Sequence, residues 1–329
     1  MPAARKKSSP RYRDILFEVK DQVAWITINR PRVHNAFREQ SLDEMIEALK
    51  STREDPSIVC AVITGAGEKS FSAGGDFYAM KRLNFTNAYM WNDRMLGLAM
   101  TIRGLPIPVI AMVNGWCMGG GHELALWCDL VIASENAVLG QTGAKVGACP
   151  TVGATQYLPR IIGERLAREM IFCARRFPAK EAVEVGLINK CVPQADLLEE
   201  TLKWCETMKG HSALTIRMTK RSLNFESDNL YSSWQHGMEL LAHVWGSDEA
   251  KEGMNAFLAG RKPDFQKFRL RDKQELNRYM DGFQRGENTT PDMRGERAQA
   301  MKVVPVKARK TAGKVAAKTA KGGTKSARA

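Results

Sequence analysis

The sequence predicts an α/β protein, with a mostly parallel sheet and crossover helices followed by a layer of helices. Three observations predict it. Strand-length apolar runs alternate with helix-period segments as far as about Gly163, the pattern of parallel strands joined by crossovers. Two of those runs lead into glycine-rich turns. Beyond Gly163, apolar residues recur at three- and four-residue spacing in one segment after another.

Residues 1–13 read as a disordered arm. "ILFEVKDQVAWITINR" contains two β-branched or aromatic runs around Lys20–Asp21, a hairpin signal. "NRP" breaks the second strand. In "REQSLDEMIEALKSTRED", Leu42, Met45, Ile46 and Leu49 fall at helical spacing. "IVCAVITGAG" reads as a buried strand ending in Gly65 and Gly67. "PVIAMVNG" is a second such run, "GGGHELALWC" starts a helix, and "DLVIAS" returns as a strand. Later helices include "ERLAREMIFCARRF", "ADLLEETLKWCETMKG" and "LYSSWQHGMELLAHVWG". The last, "DEAKEGMNAFLAGRKPDF", carries Met254, Phe257 and Leu258 on one face. The expected organisation is a core over 14–200, a helical assembly layer over 201–265, and an extension over 266–329. That extension is charged and weakly periodic to about Arg297 and ends in a disordered basic tail.

Composition narrows the class. No stretch approaches the roughly 20 apolar residues that span a bilayer, so no membrane role is expected. The basic start lacks the apolar region of a secretory signal. Seven cysteines form no CxxC pair, and several sit inside apolar runs. Reduced thiols in a cytoplasmic protein are expected, rather than disulfides or zinc. The five histidines (His34, His122, His211, His236 and His243) suggest no metal site. The net charge is +13, but nine basic residues and no acidic one lie between Lys302 and Ala329. The remainder carries 40 Lys+Arg against 36 Asp+Glu, or +4. The tail therefore holds most of the excess charge. It suits nonspecific contact with nucleic acid, having no aromatic side chain to stack on a base.

The two turns are Ala73–Gly74–Gly75–Asp76 and Gly119–Gly120–Gly121. Glycine lets the backbone approach a ligand, and N–H groups at a helix start attract negative charge. Two such donors on one oxygen form an oxyanion hole, each worth on the order of 100- to 1000-fold in rate. Either turn alone serves equally well to close a sheet edge.

"NRPRVHNAF", "FSAGGDF", "PVIAMVNGWCMGGGHELALWCDLVIASENAVLGQ" and "EAVEVGLINKCVP" occur in that order. Together they resemble the signature segments of the crotonase (enoyl-CoA hydratase/isomerase) superfamily, over roughly Asp14 to Phe265. The resemblance implies a ββα spiral core with a C-terminal helical assembly layer. It also implies homotrimers or homohexamers and a CoA thioester substrate, with no separate cofactor. It places the oxyanion donors on Ala73 and Gly120 and the acid–base role on Glu123, and leaves Asp76 as a turn cap. Family hydratases carry a second glutamate shortly after the Gly-Gln pair; this chain has Gly143 there. "ACPTVGATQYLP" is similar to the 6-oxocyclohex-1-ene-1-carbonyl-CoA hydrolases. The residues around Gln141 also resemble 2-ketocyclohexanecarboxyl-CoA hydrolases and dihydroxynaphthoyl-CoA synthases. Those enzymes carry an aspartate and a tyrosine where this chain has Pro150 and Gly153.

The implied function is water addition to, and hydrolytic opening of, a cyclic enoyl- or β-ketoacyl-CoA in aromatic or alicyclic acid degradation. Gly143 would make room for a ring, with Gln141, Thr142 and Tyr157 offering hydrogen bonds to it. Lys81, Arg82, Arg261 and Lys262 are candidate partners for the CoA phosphates. A hydratase or isomerase working with Glu123 alone is the nearest alternative. A nucleic-acid-binding protein on the same scaffold is the alternative of another class.

Overall fold

The computed structural model describes residues 12–285. Two sheets are wound together. The first has six strands in the order β1 (Ile15–Lys20), β2 (Val23–Ile28), β3 (Cys60–Gly65), β5 (Val109–Val113), β7 (Leu130–Ser134) and β10 (Lys190–Val192). The second has four strands in the order β4 (Ser70–Ser72), β6 (Trp116–Met118), β8 (Val138–Gly140) and β9 (Arg176–Pro178). The β1–β2 and β8–β9 pairs are antiparallel, and all the others are parallel. The β1–β2 hairpin turns at Asp21 and Gln22, with φ of 49° and 64°. Such a double left-handed turn matches the twist of the flanking strands.

A strand of the large sheet, a strand of the small sheet and a crossover follow one another three times along the chain. β3 and β4 lead into α2 (Phe77–Met80) and α3 (Ala88–Gly104), after α1 (Glu39–Ser51) has covered the start. β5 and β6 lead into α4 (Gly120–Trp127). β7 and β8 lead into α5 (Gly143–Val146) and α6 (Ala154–Phe172). This is the ββα spiral expected from the resemblance. α7 (Ala179–Glu184) then precedes β10. α8 (Leu197–Lys209), α9 (Ala213–Asp228), α10 (Tyr231–Gly246) and α11 (Asp248–Leu258) form the helical layer.

The large sheet is covered on both faces, which explains the unbroken apolar run of β3. Ala61 and Ile63 enter the main core, whereas Cys60 and Val62 face Leu197 and Cys205 of α8. A strand buried on both sides loses its period-two alternation. α9 is largely exposed and is pinned by Lys220, its buried residue. The Lys220 ammonium donates to Ile102 O at 3.0 Å, Ile107 O at 2.9 Å and Asp129 Oδ2 at 2.6 Å. Burial pulls its pKa down, while Asp129 opposes that shift.

Several elements depart from expectation. Tyr12 and Arg13, read as part of a disordered arm, are held in place. The Tyr12 ring meets Phe17 edge-on at 6.3 Å, and Arg13 N–H donates to Glu44 Oε1 at 2.9 Å. α3 escaped the periodicity reading, although Trp91, Met95, Leu98, Ala99 and Ile102 bury one face. α6 starts at Ala154, ahead of Gly163, where the backbone leaves helical geometry with φ of 78°. The chain divides into two compact units, up to Arg269 and from Leu270. α12 (Gln266–Gln284) crosses that division, so the segment read as weakly periodic is helical as far as Gln284. Its Gln, Arg, Lys, Glu and Leu residues are good helix formers. The remaining arm, 1–11, and the basic tail with its proposed nucleic-acid contact lie outside the described residues. Among the described residues no helix is long and apolar enough to cross a membrane.

Removing the Lys220 ammonium leaves the Asp129 carboxylate without its counter-charge and the carbonyls of Ile102 and Ile107 without their donor. Lys220→Ala is expected to cost about 3 kcal/mol of stability, as for a broken buried ion pair. Denaturant unfolding of the two proteins checks this.

Candidate active site

β4, β6 and β8 are parallel neighbours, so the segments that follow them leave the small sheet at one edge. Those segments are Ala73–Asp76, Gly119–Gly121 and Gln141–Gly143. The first two approach very closely. A Cβ added to Gly74 would sit 2.8 Å from Gly120 N, and one added to Gly121 would sit 2.3 Å from Ser72 O. No other residue type fits at such contacts. Asn35 braces the first turn from behind, donating to Ala66 O at 3.0 Å and Ser70 O at 2.7 Å. Asp76 accepts from Tyr78 N–H at 2.9 Å and pairs with Arg30 at 2.8 Å. It caps α2, the turn-capping role expected of it.

The Ala73 amide is not free to bind an oxyanion, because it donates to His34 O at 2.9 Å. Gly75 supplies the open amide instead. Phe37 and Gly75 form a parallel bridge in which Phe37 N–H donates to Gly74 O and Asp76 N–H to Phe37 O, at 2.8 and 2.9 Å. In such a bridge the Gly75 N–H points away from Phe37. Gly120 is the first residue of α4, where the N–H has no intrahelical acceptor. Neither amide has a protein acceptor among the described residues, and both residues line one cavity.

That inner cavity, about 70 Å³, has Phe37, Trp91, Met95, Leu241 and Trp245 in its walls, with Glu123 and Gln141 as polar members. It shares Ala73, Gly75, Phe77, Thr142 and Val146 with an outer cavity of about 490 Å³. Glu123 lies in the first turn of α4 and is 4 % exposed. Its Oε1 accepts from Val152 N–H at 2.8 Å and Ala154 N–H at 3.5 Å. Burial pushes its pKa up to about 8, against those two amides. Desolvation outweighs the hydrogen bonds, so the carboxyl is mostly protonated at neutral pH.

The enoyl-CoA hydratase/isomerase family model matches residues 18–269. The chain belongs to the enoyl-CoA hydratase/isomerase family. Among solved structures, an enoyl-CoA hydratase from Bacillus anthracis is 32 % identical, with 77 % of this chain and 99 % of that one covered at a TM-score of 0.63. An enoyl-CoA hydratase from Mycobacterium avium subsp. paratuberculosis is 28 % identical, with coverage of 78 % and 99 % and a TM-score of 0.71. An enoyl-CoA hydratase/isomerase from Xanthobacter autotrophicus is 29 % identical, covering 76 % and 98 % at a TM-score of 0.70.

In this hydratase/isomerase-family chain, Gln141, Thr142 and Gly143 line the inner cavity, but Gly143 does not open ring space. A Cβ there would meet Ala148 O at 2.4 Å. The missing side chain lets the loop close on itself. Gly153 has φ of 112°, and a Cβ there would meet Trp127 Nε1 at 2.7 Å. Tyr157 is not in the cavity wall. Its ring packs edge-on against Trp234 at 5.5 Å, with the Arg103 guanidinium over it at 5.5 Å.

The outer cavity takes in Arg261 and Lys262 but not Lys81 or Arg82, which are exposed outside its wall. Lys81 instead lies over the Tyr78 ring at 5.3 Å. Sequence reading missed two cations in that wall, Lys145 and Arg176. Lys145 follows Gly143 within α5, so its nearness was available; nothing in the sequence marked Arg176. Glu252 holds Arg261 Nη1 at 2.6 Å. Among the described residues no group of three or more His, Cys, Asp or Glu side chains is arranged to hold a metal.

The raised pKa of Glu123 has a stability consequence. The folded state keeps the proton up to about pH 8, whereas the unfolded carboxyl loses it near 4.5. Stability from this group is therefore full at low pH and falls as pH rises between those values. Glu123→Gln removes the penalty. Its melting temperature is expected to exceed the parent's, by a margin that widens from pH 5 to pH 8. Thermal melts across that range test the sign.

Proposed function

We propose that this chain hydrolytically opens a cyclic β-ketoacyl-CoA, with prior hydration when the ring carries a conjugated double bond. The observation that carries the reading is that Glu123 is the one carboxylate lining the inner cavity among the described residues. Addition of water across an enoyl double bond in two-carboxylate relatives divides base and acid between two groups. Ring opening uses one group twice. The Glu123 carboxylate takes a proton from water, and the hydroxide adds to the ring ketone carbon. The resulting alkoxide collapses to a carboxylic acid and breaks the bond to the α-carbon. The electron pair moves onto the thioester oxygen as an enolate, which Gly75 N–H and Gly120 N–H hold. The Glu123 carboxyl then returns its proton to the α-carbon. One water is consumed, and no cofactor is needed beyond the CoA of the substrate. Arg261, Lys262, Lys145 and Arg176 offer charge for the CoA phosphates in the outer cavity.

The inner cavity is about half the ~150 Å³ that accommodates benzene in an engineered protein cavity. A ring therefore requires wall side chains to give way. Met80 and Met95 are the flexible members of that wall. A proton-shifting isomerase is the second reading, because moving a proton between two carbons also needs a single carboxylate. Exposed Phe172, Leu223 and Phe225 support assembly of several copies, as a homotrimer or homohexamer.

Incubation with cyclic β-ketoacyl- and enoyl-CoA esters beside linear 2- and 3-enoyl-CoA esters tests the choice by mass. Gain of one water by the cyclic β-ketoacyl ester is expected. Conversion of linear 3-enoyl esters without change of mass, with cyclic esters untouched, would favour the isomerase. Glu123→Gln is expected to lower kcat by about 100- to 10,000-fold. A base that must first lose its proton makes kcat/KM rise with pH and level off above about 8. A rate that falls through that range would assign Glu123 as the initial acid.

A further inference from the structure

His122 follows the glycine turn, yet it faces away from the reaction cavity. It lines a separate cavity of about 190 Å³ with Asp129 and Asn189. It is 1 % exposed, and its Nε2 has no partner among the described residues. Its Nδ1 lies 3.2 Å from Gln141 Nε2. The same Gln141 nitrogen also donates to Gly119 O, at 3.4 Å.

These contacts fix which way the Gln141 amide faces. Gly119 O accepts only, so the end of the amide beside it must be the nitrogen. The reversed amide would set its oxygen against that carbonyl. With the nitrogen there, one hydrogen goes to Gly119 O and the other to His122 Nδ1. Nδ1 must then be an acceptor, which leaves the imidazole proton on Nε2. Burial holds the His122 pKa down to about 3, so the ring stays neutral. The Gln141 oxygen accepts no hydrogen bond from the described residues, and Gln141 lines the inner cavity with Glu123.

We propose that His122 is a positioning residue: it locks the Gln141 amide so that Oε1 is the acceptor presented to the cavity, where it holds the O–H of the attacking water or of a hydroxyl on the acyl group. Beside Glu123, a fixed neutral acceptor orients a water without adding a second charge. Glu123 is thereby spared the like-charge repulsion that a second carboxylate would bring. This role rests on the water-adding chemistry proposed for Glu123.

The test uses full-length His122→Leu, His122→Asn, Gln141→Leu and the His122→Leu/Gln141→Leu double variant. Asparagine keeps an oxygen acceptor close to the place of Nδ1. His122→Leu is expected to lower kcat about tenfold with KM little changed, since misorientation of a reacting group costs rate more than binding. His122→Asn should restore most of it. His122→Leu should add nothing once Gln141 is leucine, because coupled residues are non-additive. Equal loss in His122→Leu and His122→Asn, or additive losses in the double variant, would overturn the proposal. Nitrogen NMR of the labelled imidazoles of the parent gives a readout without turnover that depends on the folding of no variant. The parent should show His122 protonated on Nε2 and not titrating between pH 5 and 8, and Gln141→Leu should shift Nδ1. A proton found on Nδ1 would also overturn it. Glu123→Gln, assayed in parallel, separates the two ideas. Retained turnover there would remove the Glu123 mechanism, while the His122 NMR result would stand.

Discussion

The site depends on two stretches of main chain packed more tightly than side chains permit. Gly74 and Gly121 lie where an added Cβ would come within 3 Å of the facing backbone. This approach is possible because β4 and β6 are parallel neighbours that end together. The amides of Gly75 and Gly120 come to one cavity as a result. Each is left open by a local cause: the bridge to Phe37 occupies the atoms flanking Gly75, and Gly120 precedes the first hydrogen-bonded turn of α4.

Glu123 is tied to a second frame. Its Oε1 accepts from the amides of Val152 and Ala154. That short segment is held by the core on either side. Trp127 Nε1 donates to Val152 O at 2.8 Å, and Thr151 Oγ1 donates to Gly237 O of α10 at 2.8 Å. The helical layer thus sets the position of the carboxyl, and Leu241 and Trp245 of α10 also close its cavity. The acidity of Glu123 follows from packing by elements distant in sequence, with apolar burial outweighing two hydrogen bonds.

Much of the architecture was legible. Long apolar runs marked β3, β5 and β7, and amphipathic spacing marked α1 and the later helices. The three-residue strands β4, β6, β8 and β9 were not, because a period of two cannot be recognised over so few residues. Those strands organise the site, so its residues had to come from the resemblance. Glu123 and Gly120 were placed in the cavity wall by that route, and Gln141 with them. Ala73 failed because the choice of open amide depends on Phe37, remote in sequence, and on His34 O. Tyr157 failed because a tyrosine on a helix does not announce which face it occupies. Gly143 was read as absent bulk, yet the direction of its missing Cβ is set by a loop that closes on Ala148.

The groups that would hold the enolate belong to the main chain, whereas those that would move protons and set shape are side chains. Point substitution reaches the two sets unequally. A changed side chain at 123 or 141 leaves the peptide N–H groups in place, while a change at Gly74 or Gly121 disturbs the strand ends themselves. New acyl specificities are therefore more accessible through the walls and the acid–base group than through the charge-binding element. A directed library confined to the cavity walls would start from a chain whose two open amides are still in place.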